Sequence, residues 1–519
     1  MTDLETRPEH SDAAPKARRY GGFYRPKAWG VFGLGPIGSV CAAVTAIVAI
    51  LTMMSPVGLW GSVTLLVVVG GLLYLAAHPD RHGKNWFQRS AVRRSHKNRV
   101  RSGANRYLPS TLTKLGSHRL PGVLASSELA EYRDGDGQPF AVLRYPSRGH
   151  HVVSFRAQPD GAVSLDGAAV ERQVDAWADW IAALAHEENM VQAIVTVETS
   201  PNGGPLMRRT ITARKSPRAH SLSKTWMEDV LDQYPRGSQG VDATITLTVR
   251  TPPPDVALDG SKIGRRDRLG ADEMVGQRLS SRVPHIMEEL ASTGAGAVDL
   301  MTADDVIETV RCAYDPAARA TYDDARSRGE QPPVSLWTTA GPSSAVAEWG
   351  YYQHGDRVSV TWEFTSFTTS AMTVRSLLPL IEANDDVEIK RVSIIYRPLP
   401  ADRSSQIVEA NHQAAEARLG DAKKPTARQK RAVRDADKAR SSEAEGFAVA
   451  DVAVLVTATV AKDKLNKAHA AVSRLGPTAR LHLRPMNGLQ DVGFAQAIGP
   501  LGLVSESYLA LPPALMNGV

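Results

Sequence analysis

A chain of 519 residues that is 43% hydrophobic has room for two or more globular units, and its two cysteines, Cys41 and Cys312, stand too far apart for a disulfide framework or a cysteine metal cluster. The formal net charge of +6 is unevenly placed: residues 1–30 carry +2, residues 81–119 carry eleven Lys/Arg and no acid, and the 400 residues beyond sum to −6. A mildly acidic body is a poor phosphate-binding surface, so direct nucleic-acid contact is not expected of it, and the cysteine usage suits a reducing compartment.

Residues 1–30 read as a disordered cytoplasmic tail, polar and without apolar periodicity. Val31 to Ala77 then contain no Asp, Glu, Lys, Arg or His. Val31–Met53 and Val57–Ala77 are each long enough as helices to cross a hydrocarbon core of about 30 Å, and Ser55, Pro56 and Gly58 break the run between them. The expectation is an antiparallel transmembrane hairpin over residues 31–78, because only internally bonded helices satisfy backbone amides in lipid. Lys16, Arg18, Arg19, Arg25 and Lys27 precede the first span, Arg81, Lys84, Arg89, Arg93 and Arg94 follow the second, and the turn is uncharged. This places both termini in the cytoplasm of a multi-pass protein of the plasma (inner) membrane. A second full span follows the first, so the anchor is not expected to be a cleaved signal peptide. Gly38, Ala42 and Ala46, at four-residue spacing, form a face on which a partner helix can approach closely. Gly33-Leu34-Gly35-Pro36-Ile37-Gly38 matches a dinucleotide pattern, but no carboxylate occurs between Asp12 and Asp80 to hold a ribose.

Residues 79–120 read as a basic juxtamembrane segment and linker. A basic helix over 81–108, ended by Pro109, carries Arg89, Arg93, Arg94, Lys97, Arg99 and Arg101, candidates for contact with an anionic membrane surface. Trp86, Phe87 and Tyr107 interleave these charges and give a base-stacking alternative.

The body reads as α+β. In a first unit, 121–260, short runs at Phe140–Tyr145 and His151–Ala157 are strands, and Val170, Val174, Trp177, Ile181 and Leu184 mark a one-faced helix. Strands at Val191–Thr199 and Arg208–Ala213 follow, then a helix marked by Leu222, Trp226, Val230 and Tyr234 and a strand at Val241–Arg250. The order β, α, β, β, α, β is that of a ferredoxin-like unit. A helical connector, 261–345, holds a helix at Arg268–Leu290 with Pro284 inside it and a helix at Ala303–Tyr314 capped by Thr302, followed by an exposed connection. The second unit, 346–519, repeats the order: strands at Gly350–Gln353 and Arg357–Phe364, a helix at Ala371–Glu382, strands at Val387–Tyr396 and Phe447–Val460, a helix at Asp463–Leu475 and a strand at Ala479–Leu483. A charged helical insertion, 400–445, broken at Pro425, interrupts it. The fold expected is therefore a transmembrane hairpin followed by two ferredoxin-like units with helical insertions, an internal duplication.

Chemical motifs are absent. Gly83-Lys84 lacks the earlier glycine and the following hydroxyl of a phosphate loop, HEENM from His186 lacks the second histidine of a zinc motif, and no GxSxG occurs. His150, His151 and His354 read as fillers, the pairs Asp304/Asp305, Glu288/Glu289 and Asp385/Asp386 as caps and solvated faces, and Trp177, Trp226 and Val230 as core. No catalytic residue, cofactor or metal is expected. The run Lys423–Arg440 reads as a solvated helix face or, more sharply, as a partner-docking surface through Lys423, Lys424, Arg428, Lys430 and Arg431.

Tyr396-Arg397-Pro398, the long charged insertion, the returning strand Val452–Val460, Asp463-Lys464-Leu465 and Gly499-Pro500-Leu501-Gly502 resemble the non-catalytic amino-terminal region of the transport ATPases of type IV secretion and conjugation. In that family the region docks on membrane partners, and a two-helix membrane subunit sits beside it or is fused in front. Arg18-Arg19-Tyr20-Gly21-Gly22, Gly33-Leu34-Gly35 and Arg119-Leu120-Pro121-Gly122 resemble actinobacterial membrane proteins of conjugative elements. The type VII (ESX) secretion component EccE is similar in having two amino-terminal membrane helices and a cytosolic α/β body. The ATP-binding domain that follows in the ATPase family has no counterpart in the sequence. The resemblance therefore implies a non-catalytic docking subunit working with a separate P-loop motor ATPase, other translocon subunits and possible self-association. A membrane-tethered DNA-binding protein or an unrecognised enzyme are the alternatives.

Overall fold

The structure is a computed structural model. It describes residues 20–21, 86–109, 120–159, 166–187, 189–201, 218–237, 239–251, 265–333, 335–367, 371–372, 374–382, 386–399, 401–420, 424–446 and 450–504, with a few single residues between. The chain is mixed α+β, organised on one large antiparallel sheet. Of the expected membrane hairpin only Ile47, Val48, Thr64 and Val67 are described, all helical, and the hairpin lies otherwise outside the described residues. No helix among the described residues is long and apolar enough to cross a membrane.

A two-residue strand β1 (Tyr20–Gly21) pairs elsewhere with Met372 and Ala371. Helix α1 (Trp86–Arg101) and strand β2 (Arg106–Tyr107) lead into the body. Strands β3 (Glu128–Arg133), β4 (Pro139–Tyr145) and β5 (His150–Gln158) form a meander. Helix α2 (Gly167–His186), capped by the Asp166 carboxylate, crosses to β6 (Met190–Pro201). After helix α3 (Ser221–Gly237), β7 (Gln239–Arg250) returns between β5 and β6, antiparallel to both. Helix α4 (Arg265–Ala291) then leads to β8 (Ala297–Leu300), which pairs with β5 beyond the reach of β4. The strand order β8-β5-β7-β6 is a split βαββαβ arrangement, but its second crossing helix is α4 rather than the expected helix at 222–234. Helix α3 is an insertion instead, and its Trp226 and Leu222 are 65% and 73% exposed, not core. A one-faced apolar spacing marks a helix without saying which surface receives it. The strand expected at Arg208–Ala213 lies outside the described residues apart from Thr212.

Helices α5 (Ala303–Tyr314) and α6 (Pro316–Arg328) connect the halves. Thr302 and Asp305 form the capping box that starts α5, as the residue pattern required. Helix α6 occupies what read as an exposed connection; Asp315 caps it, Pro316 opens it and Gly329, at φ 72°, closes it. The second half repeats the first: β9 (Ala345–Ala347), β10 (Tyr352–His354) and β11 (Arg357–Phe367) form a meander. Strand β12 (Ala371–Met372) and the single turn α7 (Leu378–Ile381) precede β13 (Ile389–Pro398). The helical insertion α8 (Ala401–Gly420) and α9 (Ala427–Ala444) intervenes before β14 (Ala450–Ala461), α10 (Leu465–Thr478) and β15 (Leu481–Pro485), and α11 (Gln490–Gln496) follows. Here the order is β15-β11-β14-β13. Strands β6 and β13, which occupy equivalent places in the two halves, pair antiparallel from Ala193↔Tyr396 to Thr199↔Lys390. The sheet is thus nearly palindromic, and the insertions after β6 and after β13 leave it at opposite ends.

One face of the sheet is apolar. Phe140, Val153, Phe155, Ile245 and Leu247 bury α2 and α4 through Ile181, Leu184, Val283 and Leu290. In the second half Val358, Val360, Trp362, Val456 and Val460 bury α10 through Ala468, Ala471 and Val472. The opposite face is lined by buried Ser, Thr and Gln side chains over which α5, α6 and residues 486–504 are laid. Ser154 meets Thr246 at 3.0 Å, Thr196 meets Ser393 at 2.9 Å, Thr361 meets Thr457 at 2.9 Å and Ser359 meets Thr459 at 2.7 Å. Backbone carbonyls of the covering segment are satisfied from this face: Thr246 donates to Gly499, Thr248 to Gly502, Tyr145 to Leu501, and Gln192 to both Gly502 and Leu503. The desolvation cost of burying these side chains is offset where they answer an irregular backbone.

Candidate functional site

The strand registers define two ends of the sheet. At one end β13 finishes at Pro398 and β14 begins at Ala450, so the helical insertion α8–α9 departs there. The turn 348–351 between β9 and β10 lies instead at the level of the start of β13, because Tyr352 stands opposite Ser359, which pairs with Thr459, itself opposite Ile389. Helix α1 docks on that turn. A Cβ on Gly488 would come within 2.7 Å of Trp349 and 2.9 Å of Val92, so the close approach of α1 requires glycine, which also adopts φ 81° there. His96 stacks edge-on against Trp349 at 5.3 Å between centroids, and burial, followed by the neighbouring Arg99 guanidinium, lowers its pKa. Arg99 forms a two-pronged pair with Asp491, one arm at 3.3 Å. Further along, the Asn105 carbonyl accepts from Ala347 N–H at 2.8 Å and β2 joins the sheet edge. Helix α1 is therefore held to the body at Val92, His96 and Arg99 and through β2.

These contacts divide the six basic residues singled out on α1. Arg89 and Arg99 lie on its half-buried side, whereas Arg93, Arg94, Lys97 and Arg101 are exposed and form an outward ridge without an acid. The period of 3.6 separates the two sets, but only the packing partner decides which faces outward. Gly38, Ala42 and Ala46 lie outside the described residues.

The insertion α8–α9 is a helical hairpin whose principal packing is between its own two helices. Its seam is narrow: Ser404, Val408, His412 and Ala415 are buried on α8. His412 Nε2 meets Asp437 at 2.8 Å, Ser404 donates to Glu443 at 3.1 Å, and Gln429 donates to the Arg418 carbonyl at 3.1 Å. Thr426 and Gln429 form a reciprocal cap that starts α9 after Pro425. Of the expected docking residues Lys424, Lys430 and Arg431 are exposed around the tip, with Arg431 3.7 Å from Asp435. Arg428 lies in the first turn of α9, and Lys423 lies outside the described residues.

A cluster that the sequence did not reveal joins the two halves on the polar face. Glu198 of β6 accepts from Arg391 of β13 at 2.6 Å and pairs with Arg319 of α6, which also reaches Asp242 at 2.8 Å. Arg391 is 1% exposed, lies 5.8 Å from the Phe494 ring centre, and its two terminal nitrogens have no hydrogen-bond partner among the described residues. The ring and the carboxylate hold its charge in place. Nearby His354 donates and accepts between the Tyr314 carbonyl at 2.6 Å and the Ser359 hydroxyl at 2.8 Å, and burial lowers its pKa to about 4. Burial also raises the Cys312 thiol to about 12, so a thiolate is not formed at neutral pH. These groups act as internal crosslinks. A shallow groove of about 350 Å3 beside α5 and α6 is lined by Arg311, Asp315 and Tyr322, but Arg311 is already bonded to the Gly341 carbonyl at 2.9 Å. Among the described residues no group of three His, Cys, Asp or Glu is placed to hold a metal ion.

No protein-family model matches the chain, and no curated protein matches it.

Proposed function

We propose that the protein is a membrane-anchored docking platform, with two ferredoxin-like units as its body, in a conjugative or secretion apparatus that works with a separate motor ATPase. The observation that carries this reading is the continuity of three features. An uncharged stretch of 47 residues, Val31–Ala77, precedes a basic helix, and that helix is fixed to the body by Trp349, Gly488 and Asp491. A body docked on the helix that follows such a stretch would be kept close to the bilayer. The hairpin α8–α9, packed mainly on itself, is the arm that would recruit the motor. A type VII component similar to EccE is the closest variant of the same reading.

Affinity purification of the detergent-solubilised protein from its own cell, with mass spectrometry of the chains that come with it, tests this. Recovery of a P-loop ATPase with other membrane subunits supports the platform, and their type separates a conjugative from a type VII apparatus. A stable motor complex formed by a variant lacking residues 400–445 contradicts recruitment through the hairpin. Recovery of the protein alone contradicts the platform itself.

The exposed ridge Arg93, Arg94, Lys97 and Arg101 favours one second reading, a membrane-tethered nucleic-acid contact. It requires DNA affinity that falls steeply with salt and is lost on charge reversal of the ridge.

A further inference from the structure

We propose that the two flanks of the uncharged stretch clamp the second half of the body, with Tyr20–Gly21 as a strap on one face of the sheet and α1 on the other. The inference rests on the membrane reading above and deepens it, because it assigns the half that carries the α8–α9 arm as the part held at the anchor.

The strap is a backbone contact. Within a stretch that reads as a disordered tail, β1 pairs antiparallel with β12, Tyr20 opposite Met372 and Gly21 opposite Ala371. Strand β12 leads into Leu377 and Leu380, which pack beside Ala468, Ala471 and Val472 of α10 on the apolar face. The strap is therefore tied to the α10 side of the sheet.

Helix α1 is held on the other side. Its Arg99 pairs with Asp491 in the first turn of α11. That helix lies on the polar face: a Cβ on Gly493 would stand 2.9 Å from the Thr361 side chain, whose hydroxyl meets Thr457. The Gly488 N–H, next to Val92, donates to the Trp349 carbonyl at 2.7 Å. Both attachments thus fall on the second half. The first half is joined to it through the β6–β13 pairing and through residues 499–503. The α8–α9 arm leaves from β13 and β14 of the clamped half, so its root is held at the anchor.

Two attachments on one body also restrict the stretch between them. A chain that leaves the body at Gly21 and returns to it at α1 crosses a bilayer an even number of times, and the 47 uncharged residues have length for two spans of about 20. Gly21 is ten residues from Val31 and Trp86 is nine from Ala77, so extended chain of about 3.5 Å per residue keeps both attachments within about 35 Å of the bilayer. A two-residue pairing is weak alone. The docked α1 on the far flank makes its closure intramolecular, which raises the effective concentration of the strap at β12.

The test uses the full chain in its own membranes. Tyr20→Cys with Met372→Cys is treated with a thiosulfonate cross-linker of about 5 Å span, the separation of facing residues on neighbouring antiparallel strands, and linked peptides are identified by mass spectrometry. Arg106→Cys with Val346→Cys, facing residues of β2 and β9, is the internal standard. The expected result is a 20–372 link in yield comparable to the standard. Replacing Tyr20 and Gly21 together by proline removes both backbone donors of the strap and should raise amide exchange over residues 374–382 by about tenfold, with residues 92–101 of α1 unchanged. The standard link without the 20–372 link, or unchanged exchange over 374–382, overturns the strap and leaves the membrane reading standing. A link between singly substituted chains mixed in one membrane overturns the clamp in favour of strand exchange between copies. A 20–372 link in a chain that alkali releases from membranes overturns the clamp together with the membrane reading.

Discussion

The two faces of the sheet are built on opposite rules. The α2/α4/α10 face is mostly apolar and is held by packing, with Lys390 bonded to the Glu382 carbonyl as a buried exception, so most side chains there are replaceable by others of similar shape. The face under α5, α6 and residues 486–504 holds an irregular backbone segment, and only hydroxyls, amides and one ion network can satisfy it. A close-packed apolar surface tolerates loss of a methylene gradually, whereas a polar network fails at its least replaceable member.

The largest expected effect sits in the network. Glu198→Ala leaves Arg391 buried without its carboxylate and should lower stability by about 3–5 kcal/mol in urea unfolding, as breaking a buried pair does. Leu290→Ala, fully buried on the apolar face, should cost about 2–5 kcal/mol by cavity formation. Replacing Glu198, Arg391 and Arg319 together by apolar residues should recover much of the loss, and a triple variant as unstable as Glu198→Ala would contradict the network argument.

Gly502 tests the close approach of the covering segment. It adopts φ 53°, and a Cβ there would stand 2.5 Å from Val152 and 2.8 Å from the Thr248 hydroxyl. Gly502→Val should cost at least about 1–3 kcal/mol and expose residues 486–504 to faster amide hydrogen exchange. Unchanged exchange would show that the segment is held elsewhere.

The polar face should also show a pH response of its own. His354 and His150 are both lowered to about 4 by burial, well below the ordinary 6.5. Between pH 6.5 and 4 the unfolded chain takes up protons that the folded chain refuses, so stability falls as pH falls through this window. His354→Gln should flatten that slope by about one proton, measured as urea midpoint against pH, while Ile245→Val on the apolar face should shift the whole curve by about 0.5–1.5 kcal/mol without changing its slope. The smallest effect belongs to Thr246→Val: loss of its bonds to Ser154 and the Gly499 carbonyl should cost about 1 kcal/mol.

The apolar face was the legible one. Alternation along Val358–Phe364 and Val452–Val460, the helical spacing of Val170 to Leu184, and the Thr302 cap each name an element because the period and the partner agree. The break at Pro425 likewise separated α8 from α9. The polar face was not legible, since nothing along their own strands reveals that Thr246 and Thr248 meet covering carbonyls or that Thr457 and Thr459 meet hydroxyls of the neighbouring strand. Glu198, Arg319 and Arg391 are separated by more than 70 residues from one another, and no local pattern joins them. Helix α4 is legible as a helix but not as part of the first half, because its spacing does not reveal that β8, four residues long, completes that half. Trp226 misled for the converse reason: an aromatic at helical spacing fits a core and an exposed insertion equally well. On α1 the cations are plain in the sequence, and the Trp349 turn sorts them into docked and outward sets.

The central claim is that this body stands at a membrane, anchored through residues 31–77 with the basic end inward. It is tested most directly by alkaline extraction of membranes from cells making the full chain, followed by protease treatment of inside-out vesicles carrying tags at both termini. The account predicts that the chain remains in the extracted membrane and that both tags are removed from the cytoplasmic side. A chain released into the alkaline supernatant, or one tag protected within sealed vesicles, would contradict it.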